Sequence, residues 1–198
     1  MDLIAMAGLP GTGKSTLARA LSEALDVPVL SKDAIRAALF APRDVEHGRE
    51  QDDFCARVMY RAAIFLAQRG ERRAVILDGR TFSRREQLQE LAALADGMRL
   101  PLRVIECVCS PETARARLQA DLARGGHPAG AQRDPALYRS LAAAADPIPE
   151  PKLVLDTERA EPPELVARAR AWLEAQPAPA APDASDRPDA PGVPRRGG

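Results

Sequence analysis

Cysteine, histidine and net charge are all in short supply in this 198-residue chain, and each shortage removes a class of protein. Cys55, Cys107 and Cys109 are an odd number with no C-x-x-C spacing, and the only histidines are His47 and His127. Together they supply neither a disulfide framework nor a zinc site, so a reducing cytoplasm is the expected compartment. Lys plus Arg equal Asp plus Glu at 28 each, so the bulk charge advertises no polyanionic partner. Lysine itself is nearly absent: Lys14, Lys32 and Lys152 stand beside an arginine majority that reads as compositional bias. There is no long hydrophobic run either. The first apolar stretch spans about five residues and follows Asp2 instead of a basic flank, too short for a signal h-region or a membrane span. The length suits one α/β domain and is too short for two large ones.

What the sequence does hold is concentrated near its start. Residues Gly8-Leu9-Pro10-Gly11-Thr12-Gly13-Lys14-Ser15-Thr16 complete a G-x-x-x-x-G-K-[ST] loop directly after the apolar run at 3–7. A phosphate cradle needs a strand to deliver it and a helix to leave it, and the flanking patterns provide both. Gly8, Gly11 and Gly13 let backbone N–H groups turn inward around a β-phosphate. Lys14 reaches the β- and γ-phosphates, and Ser15 offers a hydroxyl to Mg²⁺. Thr12 and Thr16 complete the candidate nucleotide site, and the expected ligands are ATP and Mg²⁺.

Short apolar runs and helical periodicities then alternate along the chain. Strands are predicted at 3–7, 27–30, 74–77, 102–108 and 152–155, separated by helices at 14–25, from Ser31 through Leu39, at 54–68, at 83–95, from Pro111, at 134–145 and at 162–174. Residues 41–53 are polar and unpatterned, a candidate substrate wall. The arginine-rich helix from Pro111 breaks at Gly125-Gly126, as a mobile lid would. Residues 176–198 are Pro, Ala, Asp and Gly and read as a disordered tail behind a domain at 1–175. This pattern predicts an α/β P-loop NTPase: a five-stranded parallel sheet flanked by helices, like a nucleoside kinase with a lid, binding ligands beyond the carboxyl ends of its strands. Cys107 and Cys109 are expected to be core thiols, and Trp172 a core plug.

Two carboxylates fall at that rim. Asp78 ends the third strand and is either a Walker-B-type ligand that holds Mg²⁺ through water or a turn residue before Gly79. Asp33, just beyond the second strand, is either the group that orients and deprotonates an acceptor hydroxyl or an acid favoured by the helix dipole.

These motifs resemble a branch of AAA-like small P-loop kinases that includes polynucleotide 5'-hydroxyl kinases, zeta-type toxins and chloramphenicol phosphotransferase-like enzymes. The likeness covers roughly residues 2–157. After the Gly-x-Pro-Gly-x-Gly-Lys-Ser-Thr loop the branch carries Ser-x-Asp-x-x-Arg, here Ser31, Asp33 and Arg36. An apolar strand follows, ending in Asp with Thr and Arg beyond it, here Asp78, Thr81, Arg84 and Arg85. The resemblance implies that Asp33 is the hydroxyl-activating base, that Arg36 contacts substrate or phosphate, and that lid arginines, here Arg117 and Arg124, touch the phosphates. The function so implied is transfer of the γ-phosphate of ATP to a hydroxyl of a small molecule. A polynucleotide 5'-hydroxyl kinase and an ATP-gated interaction module with little turnover are the alternatives. The acids Asp44, Glu46, Glu50, Asp52 and Asp53 disfavour an oligonucleotide and favour a small neutral or cationic acceptor, and no membrane partner is expected.

Overall fold

In the computed structural model the described residues are 1–46, 48–124 and 135–177, and the side chains at 124 and 135–137 lie outside the description. Five strands, β1 (Asp2–Ala7), β2 (Val29–Ser31), β3 (Ala74–Asp78), β4 (Leu102–Val108) and β5 (Leu153–Asp156), form one parallel sheet in the order β2-β3-β1-β4-β5. Seven α-helices connect and close it: α1 (Lys14–Leu25), α2 (Lys32–Leu39), α3 (Arg49–Arg69), α4 (Arg85–Gly97), α5 (Pro111–Arg124), α6 (Pro135–Ala143) and α7 (Pro162–Glu174). The expected α/β P-loop architecture is therefore present. With β1 central and its neighbours reached in opposite directions, the crevice at its carboxyl end is the topological switch point where such sheets bind ligands.

The strand alternation sorts the apolar side chains into two layers. Leu3, Ala5 and Ala7 of β1 join Val75 and Leu77 under Met59 of α3 and Leu91 of α4, whereas Ile4 and Met6 join Ile76 and Ile105 under Leu17 and Leu21 of α1 and Leu165 of α7. Trp172 packs half-buried against the second layer. A small third cluster of Ala114, Leu118 and Tyr138 seats α5 and α6 beside Leu9 of the loop.

Among the boundaries that differ from the sequence reading, three have a visible physical cause. Strand β2 begins two residues late, because the Val27 N–H caps α1 through the Ser22 carbonyl and Pro28 has no N–H to give the ladder. Helix α4 starts at Arg85, whose N–H is taken by the Asp146 carboxylate at 2.7 Å, while the Ser83 hydroxyl is engaged with Thr81 at 2.8 Å. Residues 41–53 are not one loop. Pro42–Asp44 form a 3-10 turn and α3 already begins at Arg49, so Asp52 and Asp53 are helical residues. Cys109 lies one residue beyond β4 and is half-buried, unlike Cys107, which is in the core. Among the described residues no helix is long and apolar enough to cross a membrane.

Candidate active site at the phosphate-binding loop

The loop between β1 and α1 is held in a shape that few side chains would permit. Gly8, Gly11 and Gly13 all have positive φ, and a Cβ at Gly8 would run into the Cys107 carbonyl oxygen of β4. The Gly8 N–H donates to the Thr81 carbonyl at 3.0 Å, which ties the loop to the connection after β3. Gly13 is the N-cap of α1 and contributes no side-chain cap, so the positive end of the helix is turned to the loop without a side chain over it, the arrangement that favours an anion. Lys14 is buried, and its ammonium donates to the Leu9 carbonyl at 2.7 Å. Thr12 donates to the same carbonyl at 2.8 Å, Ser15 is half-buried and Thr16 is exposed.

Asp78 ends β3 in register with Ser31 of β2, and Ser31 in turn caps α2 by accepting from the Ala34 N–H at 3.3 Å. These two strand ends place Asp78 and Asp33 on neighbouring segments. Gly79, at φ 89°, permits the contact: a Cβ there would stand 3.2 Å from the backbone nitrogens of both Lys32 and Asp33. The Asp78 carboxylate is 5% exposed and its Oδ1 has no protein partner. A buried acceptor atom without a donor beside a phosphate loop fits a metal-bound water, so Ser15 and Asp78 are a compatible pair for Mg²⁺. Among the described residues no three His, Cys, Asp or Glu side chains gather to hold a metal by themselves.

Asp33 does not stand alone. Its carboxylate accepts from Arg36 at 3.0 Å and lies 3.6 Å from the Lys32 ammonium. The same two cations converge on Asp52 of α3, which accepts from Arg36 at 2.8 Å and pairs with Lys32. Burial pushes the Asp52 carboxyl up, but the charges and hydrogen bonds of Lys32 and Arg36 outweigh it and leave it below the ordinary carboxylate range. The polar stretch 41–53 predicts Asp52 and Asp53 as acids of an open loop; in the fold they are helical and serve as the counter-ions of buried cations.

A second cluster went unnoticed in the sequence. Arg80 follows Gly79 and is 2% exposed, with hydrogen bonds to Asp53 at 2.5 Å, Glu90 at 3.1 Å and the Tyr60 hydroxyl at 2.9 Å. Arg84 reaches Asp53 at 3.4 Å. Burial raises the Tyr60 hydroxyl to about 12 despite the neighbouring Arg80 charge, so it stays protonated. Asp52 and Asp53, consecutive residues, thus serve two cation sets from two different strand ends.

On the other side of the loop, Arg117 of α5 donates to the Thr157 hydroxyl and carbonyl and points one N–H toward the Gly11 carbonyl at 3.5 Å. A cavity of about 150 Å³ opens between the start of the loop, the β3–α4 connection, the end of β4 and the chain after α6, with Thr81, Ser83, Glu106, Tyr138 and Asp146 in its walls. The Arg124 side chain, His47, His127 and the Gly125-Gly126 break expected of a lid lie outside the described residues.

Strand, glycine loop, lysine, helix and strand-end aspartate define a P-loop NTPase domain. The model of the AAA domain family matches residues 3–136, and the chain belongs to that family. Its fold is that of P-loop kinases of known structure. A provisionally designated kinase from Chloroflexus aurantiacus is 25% identical, with a TM-score of 0.69 over 86% of this chain and 97% of the other. A sugar kinase from Janibacter sp. HTCC2649 is 20% identical, with a TM-score of 0.63 over 88% and 95%. The Mycobacterium tuberculosis APS kinase in complex with AMPPNP and APS is 18% identical, with a TM-score of 0.65 over 88% and 98%. No curated protein matches the sequence.

Proposed function

We propose that this kinase-like domain transfers the γ-phosphoryl group of ATP to a hydroxyl of a small molecule. The observation that carries the reading is the pair of carboxylates at adjacent strand ends: Asp78 buried with an unpartnered oxygen, and Asp33 on the next segment across Gly79. A pure nucleotide switch needs the first and has no use for the second. The small-molecule acceptors named for the sugar kinase and the APS kinase agree with this substrate size. Within the AAA family the Ser31, Asp33 and Arg36 spacing supports membership of the small-kinase branch the chain resembles, and we infer a cytoplasmic setting.

When bound, ATP supplies the phosphoryl group and Mg²⁺ neutralises part of its charge. The chain's own residues supply the rest. The Gly8, Gly11 and Gly13 backbone, with Thr12 and Thr16, shapes the phosphate cradle. Lys14, now on the Leu9 carbonyl, would reach the phosphates, and Ser15 and Asp78 would hold the metal. Asp33 orients the acceptor hydroxyl and takes its proton as the oxygen bonds to the γ-phosphorus and the bond from that phosphorus to the β,γ-bridging oxygen breaks, releasing ADP. Arg36 steadies Asp33, and the lid arginines Arg117 and Arg124 complement charge on the transferred group. An acceptor screen that follows ADP formation across sugars, nucleosides, antibiotics and 5'-hydroxyl oligonucleotides tests the proposal, with Lys14→Ala as control. Acceptor-dependent ADP formation confined to the oligonucleotides, or absent altogether, would refute it.

A further inference from the structure

The charges around Asp33 also say what kind of acceptor fits, if Asp33 marks the acceptor side as proposed above. Four cations lie at the β2 and β3 ends, and each already has a carboxylate: Lys32 and Arg36 share Asp33 and Asp52, while Arg80 and Arg84 share Asp53. Lys32 and Arg36 are nearly sealed from solvent, with side chains 7% and 4% exposed, and Asp52, the more exposed partner at 23%, pairs with both. The helix that carries Asp52 is fastened at the next residue by Arg80 and Arg84, so Asp52 cannot be withdrawn by moving the backbone alone.

The cavity beside the loop has the same bias. Among the described residues its walls hold two carboxylates, Glu106 and Asp146, with the hydroxyls of Thr81, Ser83 and Tyr138, and no lysine or arginine. Lys152 lies behind, spent on Glu106 at 2.8 Å. Glu106 pairs with Lys152 and Asp146 accepts from the Arg85 N–H, and a carboxylate has about four lone-pair sites, which suits further hydroxyl or ammonium donors. An acceptor's phosphate, sulfate or carboxylate group brought against these walls would face Glu106 and Asp146, and one brought to the end of β2 would meet Asp33 and Asp52 before the cations they pair with; like charges so placed are strongly disfavoured.

We propose that Asp52 is a built-in counter-ion that closes the Lys32 and Arg36 pair to anions, so that the acceptor is a hydroxy compound bearing no phosphate, sulfate or carboxylate group. The test uses the full chain with ATP and Mg²⁺ and follows ADP formation on matched pairs: ribose and ribose 5-phosphate, glucose and gluconate, adenosine and adenosine 5'-phosphosulfate. The expected result is turnover in the uncharged arm, with kcat/KM for the anionic partner lower by about a hundredfold or more. Asp52→Asn should narrow that gap by about tenfold, and inorganic sulfate should then inhibit the variant at concentrations that leave the parent unaffected. Equal or better turnover of the anionic partner by the parent overturns the inference and leaves the kinase reading standing. No acceptor-dependent ADP in either arm, with ATP still raising the melting temperature, overturns the kinase reading and this inference with it. Should Asp52→Asn fail to fold, the parent's discrimination between the two arms still decides.

Discussion

The guanidinium of Arg117 donates to both oxygens of Thr157, at 2.9 Å to the hydroxyl and 2.8 Å to the carbonyl. The Thr157 hydroxyl in turn donates to the Thr12 carbonyl at 3.0 Å, and a Cβ at Gly13 would meet that hydroxyl oxygen at 3.3 Å. The connection after β5 therefore braces the phosphate loop from behind, with α5 locked to it. Thr157→Val keeps the shape and removes the hydroxyl, leaving the Thr12 carbonyl and one Arg117 N–H without their partner. The expected cost is about 1–3 kcal/mol of stability with a severalfold loss of ATP affinity. Thermal melts with and without ATP check both; if neither moves, the brace is idle.

Lys14→Ala should leave the apo fold near its parent melting temperature while removing the stabilisation that ATP confers. The lost group is a point charge on the phosphates, and binding to the native state is what raises the melting temperature. A variant that ATP still stabilises as well as the parent would contradict the assignment of the loop.

Asp33→Asn and Asp78→Asn should fail differently. Asn at 33 keeps the size of the side chain and removes the proton acceptor, so turnover should fall about 10²- to 10⁴-fold with ATP affinity little changed. Asn at 78 should weaken Mg²⁺-dependent nucleotide binding instead. Single-turnover kinetics and nucleotide titration separate the two; parental turnover by Asp33→Asn would return Asp33 to a helix-dipole role.

Acid should loosen the domain through two carboxylates. Glu158 accepts from the Ser110 N–H at 2.8 Å and the Thr113 hydroxyl at 2.7 Å, bonds that lower its pKa to about 2 and staple the start of α5. Asp52 is lowered by its cations. Both pKa values are depressed in the folded state, so the stabilisation is complete above the unfolded value of about 4 and is lost as pH falls toward the folded values. Urea midpoints measured from pH 6 to pH 3 should drop, and Glu158→Gln should flatten that drop. An equally steep fall in the variant would clear Glu158 of the effect.

The sequence was most readable where function and local pattern coincide. The Gly8 to Thr16 string, the Ser31 cap and the apolar strand ending in Asp78 each announce themselves within a few neighbouring residues, because a phosphate loop and a strand end are local devices. Arg80 gave no such signal: its partners Asp53, Tyr60 and Glu90 lie 27, 20 and 10 residues away and meet it only once α3 and α4 pack on the sheet. Asp52 was visible as an acid but not as a counter-ion, since its location inside α3 depends on the helix starting at Arg49, before the apolar stripe that marked it. Thr157 was hidden for the same reason, its partners Thr12, Val108 and Arg117 lying 145, 49 and 40 residues away.

The pairing of two successive acids with two separate cation sets has a consequence for how this chain can change length. An α-helix turns about 100° per residue, and the phase of α3 is set by its buried stripe from Cys55 onward, so inserting or deleting one residue between Asp53 and Cys55 would swing Asp52 and Asp53 away from their partners together. Upstream no helical phase is at stake: Gly48 has nothing within 4 Å of where a side chain would start, and Val45 and Glu46 belong to no helix or strand, with exposed bonds between the Gln51 side chain and both the Glu46 N–H and the Asp44 carbonyl. A one-residue insertion around 45–46 should therefore be tolerated where one between Asp53 and Cys55 should not, which makes helical phase, rather than loop length, the quantity that must be held fixed.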